Sequence, residues 1–109
     1  MTNENLLLPL DLPADSVKLD LVSRKLFVND SCVFLRNKEF NLLVFFFQNR
    51  GKVLTRTQIL EEVWDRNICC STNTVDVHVS SLRHKLKSHI NVDIIRTVNC
   101  VGYIFEIFF

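Results

Sequence analysis

Asn73-Thr74-Val75-Asp76-Val77-His78-Val79-Ser80-Ser81-Leu82-Arg83-His84-Lys85-Leu86-Lys87 is the stretch that decides the fold. Val75, Val79, Leu82 and Leu86 recur at i, i+4, i+7 and i+11, one apolar stripe of an α-helix. At about 100° per residue the four side chains fall within roughly 60° of one another. The opposite face carries Asn73, Val77, Ser80, Ser81 and His84. A helix face turned only to water is usually filled with Glu and Lys. Short hydrogen-bonding groups around one branched apolar residue suit a surface that meets a partner, and a DNA major groove is one such surface. A helix packed on both sides inside a small domain is the plainer alternative.

The 109 residues suit one domain with a single modest core. An apolar fraction of 48% and nine Phe exclude a disordered chain. The net charge of +1 says little about partners, but residues 49–109 hold eight Lys/Arg against six Asp/Glu. That local excess suits a polyanion, or a solvated surface. None of Cys32, Cys69, Cys70 and Cys100 is spaced as a zinc knuckle or redox dithiol. Adjacent Cys69 and Cys70 are poorly placed to bridge each other. A metal site from this pair and a histidine is a minor alternative, and no metal or cofactor is expected. The Leu6–Leu10 run is short, broken by Pro9 and lacks a basic flank, so it does not read as a secretory signal. Leu42–Phe47 is too short to span a bilayer. The expectation is a cytoplasmic protein with reduced thiols and no membrane partner.

Met1–Asp15 has no apolar period and contains Pro9 and Pro13, so it reads as a linker or tail. Ser16–Leu35 reads as three short antiparallel strands, with a turn at Asn29-Asp30-Ser31. Asn37 can N-cap a helix running to about Asn49, with Phe40, Leu43, Val44 and Phe47 as its stripe and Gly51 as its C′ residue. Leu42, Phe45 and Phe46 widen that stripe, so this helix is central or also meets a partner. Thr55 and Gln58 form a capping box for a second helix that points Ile59, Leu60 and Val63 inward and ends at Trp64. Arg66–Thr72 is a loop, and Thr72 can N-cap the third helix. Ile94–Val98 and Tyr103–Phe108 then read as a hairpin around Asn99–Gly102. Strands, three helices and a terminal hairpin make an α+β winged helix-turn-helix: an N-terminal antiparallel sheet, three helices and a C-terminal β-hairpin wing.

Several blocks carry a resemblance. They are Lys38-Glu39-Phe40-x-Leu42-Leu43, Gly51-Lys52-Val53-Leu54-Thr55-Arg56, Val63-Trp64-Asp65, Val75-Asp76-Val77-His78-Val79-x-x-Leu82-Arg83-x-Lys85-Leu86 and Ile95-Arg96-Thr97-Val98-x-x-x-Gly102-Tyr103-x-Phe105. In this order over about 70 residues they resemble the effector domain of OmpR/PhoB-type response regulators. The run from Trp64 to Val77 also looks like the metal-responsive branch of that family. The resemblance implies a four-stranded N-terminal sheet, three helices and a wing. It also implies a transcriptional regulator that binds double-stranded promoter DNA, usually as a homodimer on direct repeats. Helix 73–87 would enter the major groove, the wing at 95–107 would reach the minor groove, and loop 66–72 would face RNA polymerase. The receiver domain that normally precedes this module is absent from this chain, which reads either as a cut fragment or as a stand-alone effector, with residues 1–15 as linker or tail and 16–109 as the DNA-binding domain.

The DNA-facing set can be named on physical grounds. Val77 suits a thymine methyl, with a second packing contact as its bland role. Asn73, Ser80 and Ser81 suit base edges or phosphates. His78 and His84 can donate to phosphate or base acceptors. Thr74, at the helix start, is placed for a phosphate. Asp76 and Arg83 share a flank, which suggests that Arg83 is partly structural, whereas Lys85 and Lys87 suit phosphates. Arg56 and Trp64 match family positions that meet the DNA backbone, with core packing as the competing role of Trp64. Thr97 and Asn99 complete the set from the wing.

Departures from the family pattern are informative. Asn99 stands where relatives commonly have Arg, Cys100 where they often have Gly, and Ser80 and Ser81 where basic residues are common. Fewer cations imply a shallower salt dependence and weak binding by a monomer. A degenerate winged helix used for protein contacts is the alternative function, motivated by the Phe-rich first helix. A thiol- or metal-sensing role for Cys69 and Cys70 is a third. No nucleophile–base–orienter set or phosphate-cradling Gly loop is visible, so neither catalysis nor a small-molecule substrate is expected.

Overall fold

The computed structural model describes residues 7–11, 16–64, 71–90 and 93–106. Loop residues 65–70, with Cys69 and Cys70, lie outside them, as does the end of the hairpin beyond residue 106. The elements are β1 (Leu7–Asp11), β2 (Ser16–Asp20), β3 (Lys25–Val28), β4 (Ser31–Val33), α1 (Asn37–Gln48), β5 (Val53–Thr55), α2 (Arg56–Val63), α3 (Asn73–Lys87), β6 (Ile95–Val98) and β7 (Gly102–Phe105).

The N-terminal sheet is antiparallel in the order β1-β2-β3-β4. Its register sets Val17 opposite Val28, Leu19 opposite Leu26 and Leu26 opposite Val33, so one face collects the buried side chains. Asn29 and Asp30 both have positive φ, as a two-residue turn between β3 and β4 demands. Leu7–Asp11, read from sequence as linker, forms an edge strand on β2 instead. Its Pro9 is tolerated because an edge strand leaves one side without ladder bonds.

α1 buries Phe40, Leu42, Leu43, Phe46 and Phe47. Phe46 and Phe47 lie 6.0 and 5.1 Å from the Phe105 ring on β7, and such pairs contribute about 1 kcal/mol each beyond area burial. The Phe-rich helix is thus accounted for by its central place in the core. Its N-cap is Arg36 rather than Asn37, with the Glu39 side chain accepting the Arg36 N–H at 2.8 Å. Asn49 is the C-cap, and Gly51, at φ 77°, lies one residue beyond the expected C′ position. α2 begins with the expected capping box: Thr55 Oγ1 accepts from Gln58 N–H at 3.1 Å, and Gln58 Oε1 accepts from Thr55 N–H at 2.8 Å. α3 has the bounds the stripe requires, with Val75, Val79, Leu82 and Leu86 buried. Thr72 is itself helical and makes no side-chain cap.

The second sheet has the order β5-β7-β6. β6 and β7 are the wing, and β5, unforeseen from sequence, binds the wing to the residue that opens α2. Gly102 is required there: a Cβ on it would stand 1.9 Å from the Leu54 carbonyl oxygen. No helix among the described residues is long and apolar enough to cross a membrane.

Candidate nucleic-acid interface

Asn73, Val77, Ser80, His84 and Lys87 stand exposed along one side of α3. Val77 keeps 65% of its surface open, which removes the second-packing reading of this residue. His78 is half-buried, and its Nδ1 lies 2.8 Å from the Thr74 carbonyl oxygen. A carbonyl only accepts, so Nδ1 is the donor in this contact. Nδ1 is thus held by the helix backbone, and Nε2 is the ring atom left to meet DNA. The Thr74 N–H is also engaged, donating to the Ser71 carbonyl at 3.0 Å, so it is not free for a phosphate as expected.

Two residues expected on the DNA side turn toward the fold. The Ser81 hydroxyl donates to Glu39 Oε2 at 2.5 Å and Lys85 Nζ to Glu39 Oε1 at 2.5 Å. Glu39 is 1% exposed. Burial pushes its carboxyl up, but Lys85, Ser81 and the Arg36 N–H together hold it below the usual carboxylate range. The Lys85 ammonium also lies 5.5 Å from the exposed Phe34 ring. Trp64 follows the same pattern. It is buried, takes the His78 ring edge-on at 5.0 Å, and lies below Lys38, whose Nζ donates to the Val63 carbonyl at 3.1 Å. The condition for Trp64 as a phosphate donor, an exposed ring, is not met.

Asp76 pairs with Arg56, not with Arg83 as its position on α3 suggested. Its Oδ1 accepts from Arg56 Nε at 2.8 Å and from the Tyr103 hydroxyl at 2.6 Å. The Tyr103 hydroxyl, with Arg56, holds the Asp76 carboxyl below its ordinary value against the opposing effect of partial burial. Burial, then the Asp76 carboxylate, push the Tyr103 phenol up. The Asp76 hydrogen bond also raises Arg56. Arg83 bridges instead to the wing: its Nη1 donates to Thr97 Oγ1 at 2.9 Å and its guanidinium lies 5.6 Å from the Tyr103 ring centre. Tyr103 escaped the sequence reading as a site residue. Its signal was a phenol on an otherwise apolar strand, which needs a polar partner when buried.

Between α3 and the wing runs a cleft of about 690 Å³, lined by Ser80, Arg83, His84, Lys87, Asp93, Ile95, Arg96 and Thr97. Lys87 contacts Asp93 at 3.2 Å and Arg96 contacts Glu106 at 3.3 Å, both as exposed ion pairs. Such pairs are weak enough for a phosphate to compete. At the wing tip Asn99, Cys100 and Val101 are exposed. Cys100 has φ 62° in a turn closed by the Val101 N–H on the Val98 carbonyl at 3.0 Å. Among the described residues no group of histidines, cysteines and carboxylates is arranged to hold a metal ion.

Three helices, the third with one open face, flanked by a hairpin wing across a basic cleft, define a winged helix-turn-helix domain. Residues 30–105 match the family model described as "Transcriptional regulatory protein, C terminal", and the chain belongs to that family. It is 43% identical over 89 residues to the transcriptional regulatory protein CusR of Escherichia coli K12, covering 82% of this chain and 39% of that protein. The chain thus spans about two fifths of the length of such relatives. Its fold is similar to the response regulator DrrB of Thermotoga maritima, described as an OmpR/PhoB homologue, with TM-score 0.73 and 29% identity over 90% of this chain and 44% of that one. It is also similar to the DNA-binding domain of the response regulator AdeR, solved in complex with an intercistronic region. That match has TM-score 0.75 and 25% identity over 84% of this chain and 94% of that one. The chain is therefore a response-regulator effector domain of the OmpR/PhoB type.

Proposed function

We propose that this domain binds double-stranded promoter DNA, with the outer face of α3 in the major groove and the wing at the adjacent minor groove. The open row of Asn73, Val77, Ser80 and His84 carries the reading, because short hydrogen-bonding groups around an exposed Val match the base edges and thymine methyls of a major groove. Lys87, Arg83 and Arg96 flank that row at the cleft and suit the phosphates. Thr97 and Asn99 meet the wing-side strand, and Arg56 adds a cation beside them. His78 contributes through Nε2.

With about three or four phosphates neutralised, log K falls against log salt with a slope of about −2.7 to −3.6. One domain on one half-site binds weakly, and a homodimer on direct repeats supplies the missing affinity through effective concentration. By the family resemblance the contact with RNA polymerase falls to loop 66–72, and the protein works in the cytoplasm. Electrophoretic or fluorescence titration of duplexes with one and two half-sites, at several salt concentrations, tests the reading. Absence of both affinity and salt slope would transfer the domain to the class of protein-contact modules. Nanomolar binding of a monomer to a single half-site at physiological salt would remove the dimer requirement.

A further inference from the structure

The geometry points to Asp76 as a positioning residue that sets the distance and tilt of the wing relative to the recognition helix. The inference rests on the DNA-binding reading above and assigns part of the two-groove register to a residue on the flank of the open row. Asp76 lies on α3, yet its Oδ1 holds Arg56 of α2 at 2.8 Å and Tyr103 of β7 at 2.6 Å. One carboxylate oxygen thus joins all three parts of the interface. The Arg56 and Arg83 guanidiniums lie 5.2 and 5.6 Å from the centre of the Tyr103 ring. Arg83 then reaches Thr97 on β6 at 2.9 Å, so both wing strands are tied to α3.

The charges at this junction do not fill a core. Asp76 and Arg56 stay partly open, with side chains 39% and 27% exposed, and pairs in such surroundings contribute little to folding. Their directional bonds have a different effect: they leave the wing with one arrangement. A wing fixed before DNA arrives loses less freedom on binding, and affinity rises through that saving. This matters here because Asn99 brings no charge to the wing tip.

Asp76→Asn and Tyr103→Phe test this independently. Tyr103→Phe removes a single hydroxyl and keeps the ring, so it stays informative if Asp76→Asn unfolds the chain. The probe is a duplex selected by the wild-type chain from a randomised pool. Both variants are expected to bind it about tenfold more weakly, as loss of a charge-assisted bond implies. Discrimination against changes beneath α3 should stay the same, while hydroxyl-radical protection of the wing-side minor groove is lost. A merely structural role would lower the melting temperature without separating the two grooves. Wild-type affinity and wing protection in Tyr103→Phe would overturn the positioning role while leaving DNA binding intact. Failure of the wild-type chain to enrich any duplex would overturn both.

Discussion

Replacing Lys85 with Met separates a fold-supporting lysine from a DNA-contacting one. The substitution keeps most of the apolar stem and removes the ammonium 2.5 Å from Glu39. Among the described residues Glu39 then keeps the Ser81 hydroxyl and the Arg36 N–H against its buried charge. Removing one member of a buried pair costs about 3–5 kcal/mol, and the two surviving bonds place the expected loss near the lower end, about 3 kcal/mol. For a domain of this size that is a fall in Tm of about 10 °C or more. The pH dependence has a definite sign. The folded-state value of Glu39 is depressed, so its stabilisation is present above the unfolded carboxylate value and is lost as pH falls through the folded one. Without Lys85 the largest influence, burial, is less opposed and the value rises. The gap in stability between wild type and variant therefore narrows below about pH 4.5, near the ordinary glutamate value. Thermal melts at pH 7 and pH 4 read this, and a gap that stays constant would refute the account. The DNA salt slope supplies an independent check. Lys85→Met should leave it unchanged, whereas a slope shallower by about 0.9 would return Lys85 to the phosphate contacts.

Gly102→Ala should undock the wing, because the new Cβ meets the Leu54 carbonyl oxygen at 1.9 Å; amide exchange should accelerate through β5–β7 before the rest of the chain. Cys100→Gly should raise stability by about 0.5–1 kcal/mol in denaturant titrations, relief of the left-handed backbone being partly offset by the flexibility of unfolded glycine. Asn99→Arg should steepen the salt slope by about one and favour A-tract flanks, and an unchanged slope would place the wing tip away from DNA.

The parts of this fold that sequence revealed are those governed by local periodicity. α3 followed from four apolar residues on one stripe, and the start of α2 from Thr55 and Gln58 three positions apart. What stayed hidden depends on distant partners. Glu39 looks like an ordinary first-turn acid, because Ser81 and Lys85, which hold it, are 42 and 46 residues away. Spacing along α3 places Asp76 on the flank of Arg83, whereas the approach of Arg56 on α2 has no trace in local spacing. β1 was obscured by Pro9, whose tolerance depends on lying at a sheet edge. β5, three residues long, exists because β7 offers it a ladder. The open face of α3 was legible, but its membership was not: a helical wheel puts Ser81 with Ser80, and only the approach of α1 draws Ser81 away.

The short strand β5 has a practical meaning for rebuilding this domain. It runs without a break into α2, and its Leu54 and Thr55 are paired with Tyr103 and Gly102 of the wing. A wing transplanted from a relative would therefore arrive without half of its seat unless Val53–Thr55 travelled with it. The natural unit of exchange is two separated pieces of chain, the entry to α2 and the terminal hairpin. Chimeras that move both pieces should melt cooperatively, and those that move the hairpin alone should lose the amide protection of Leu54.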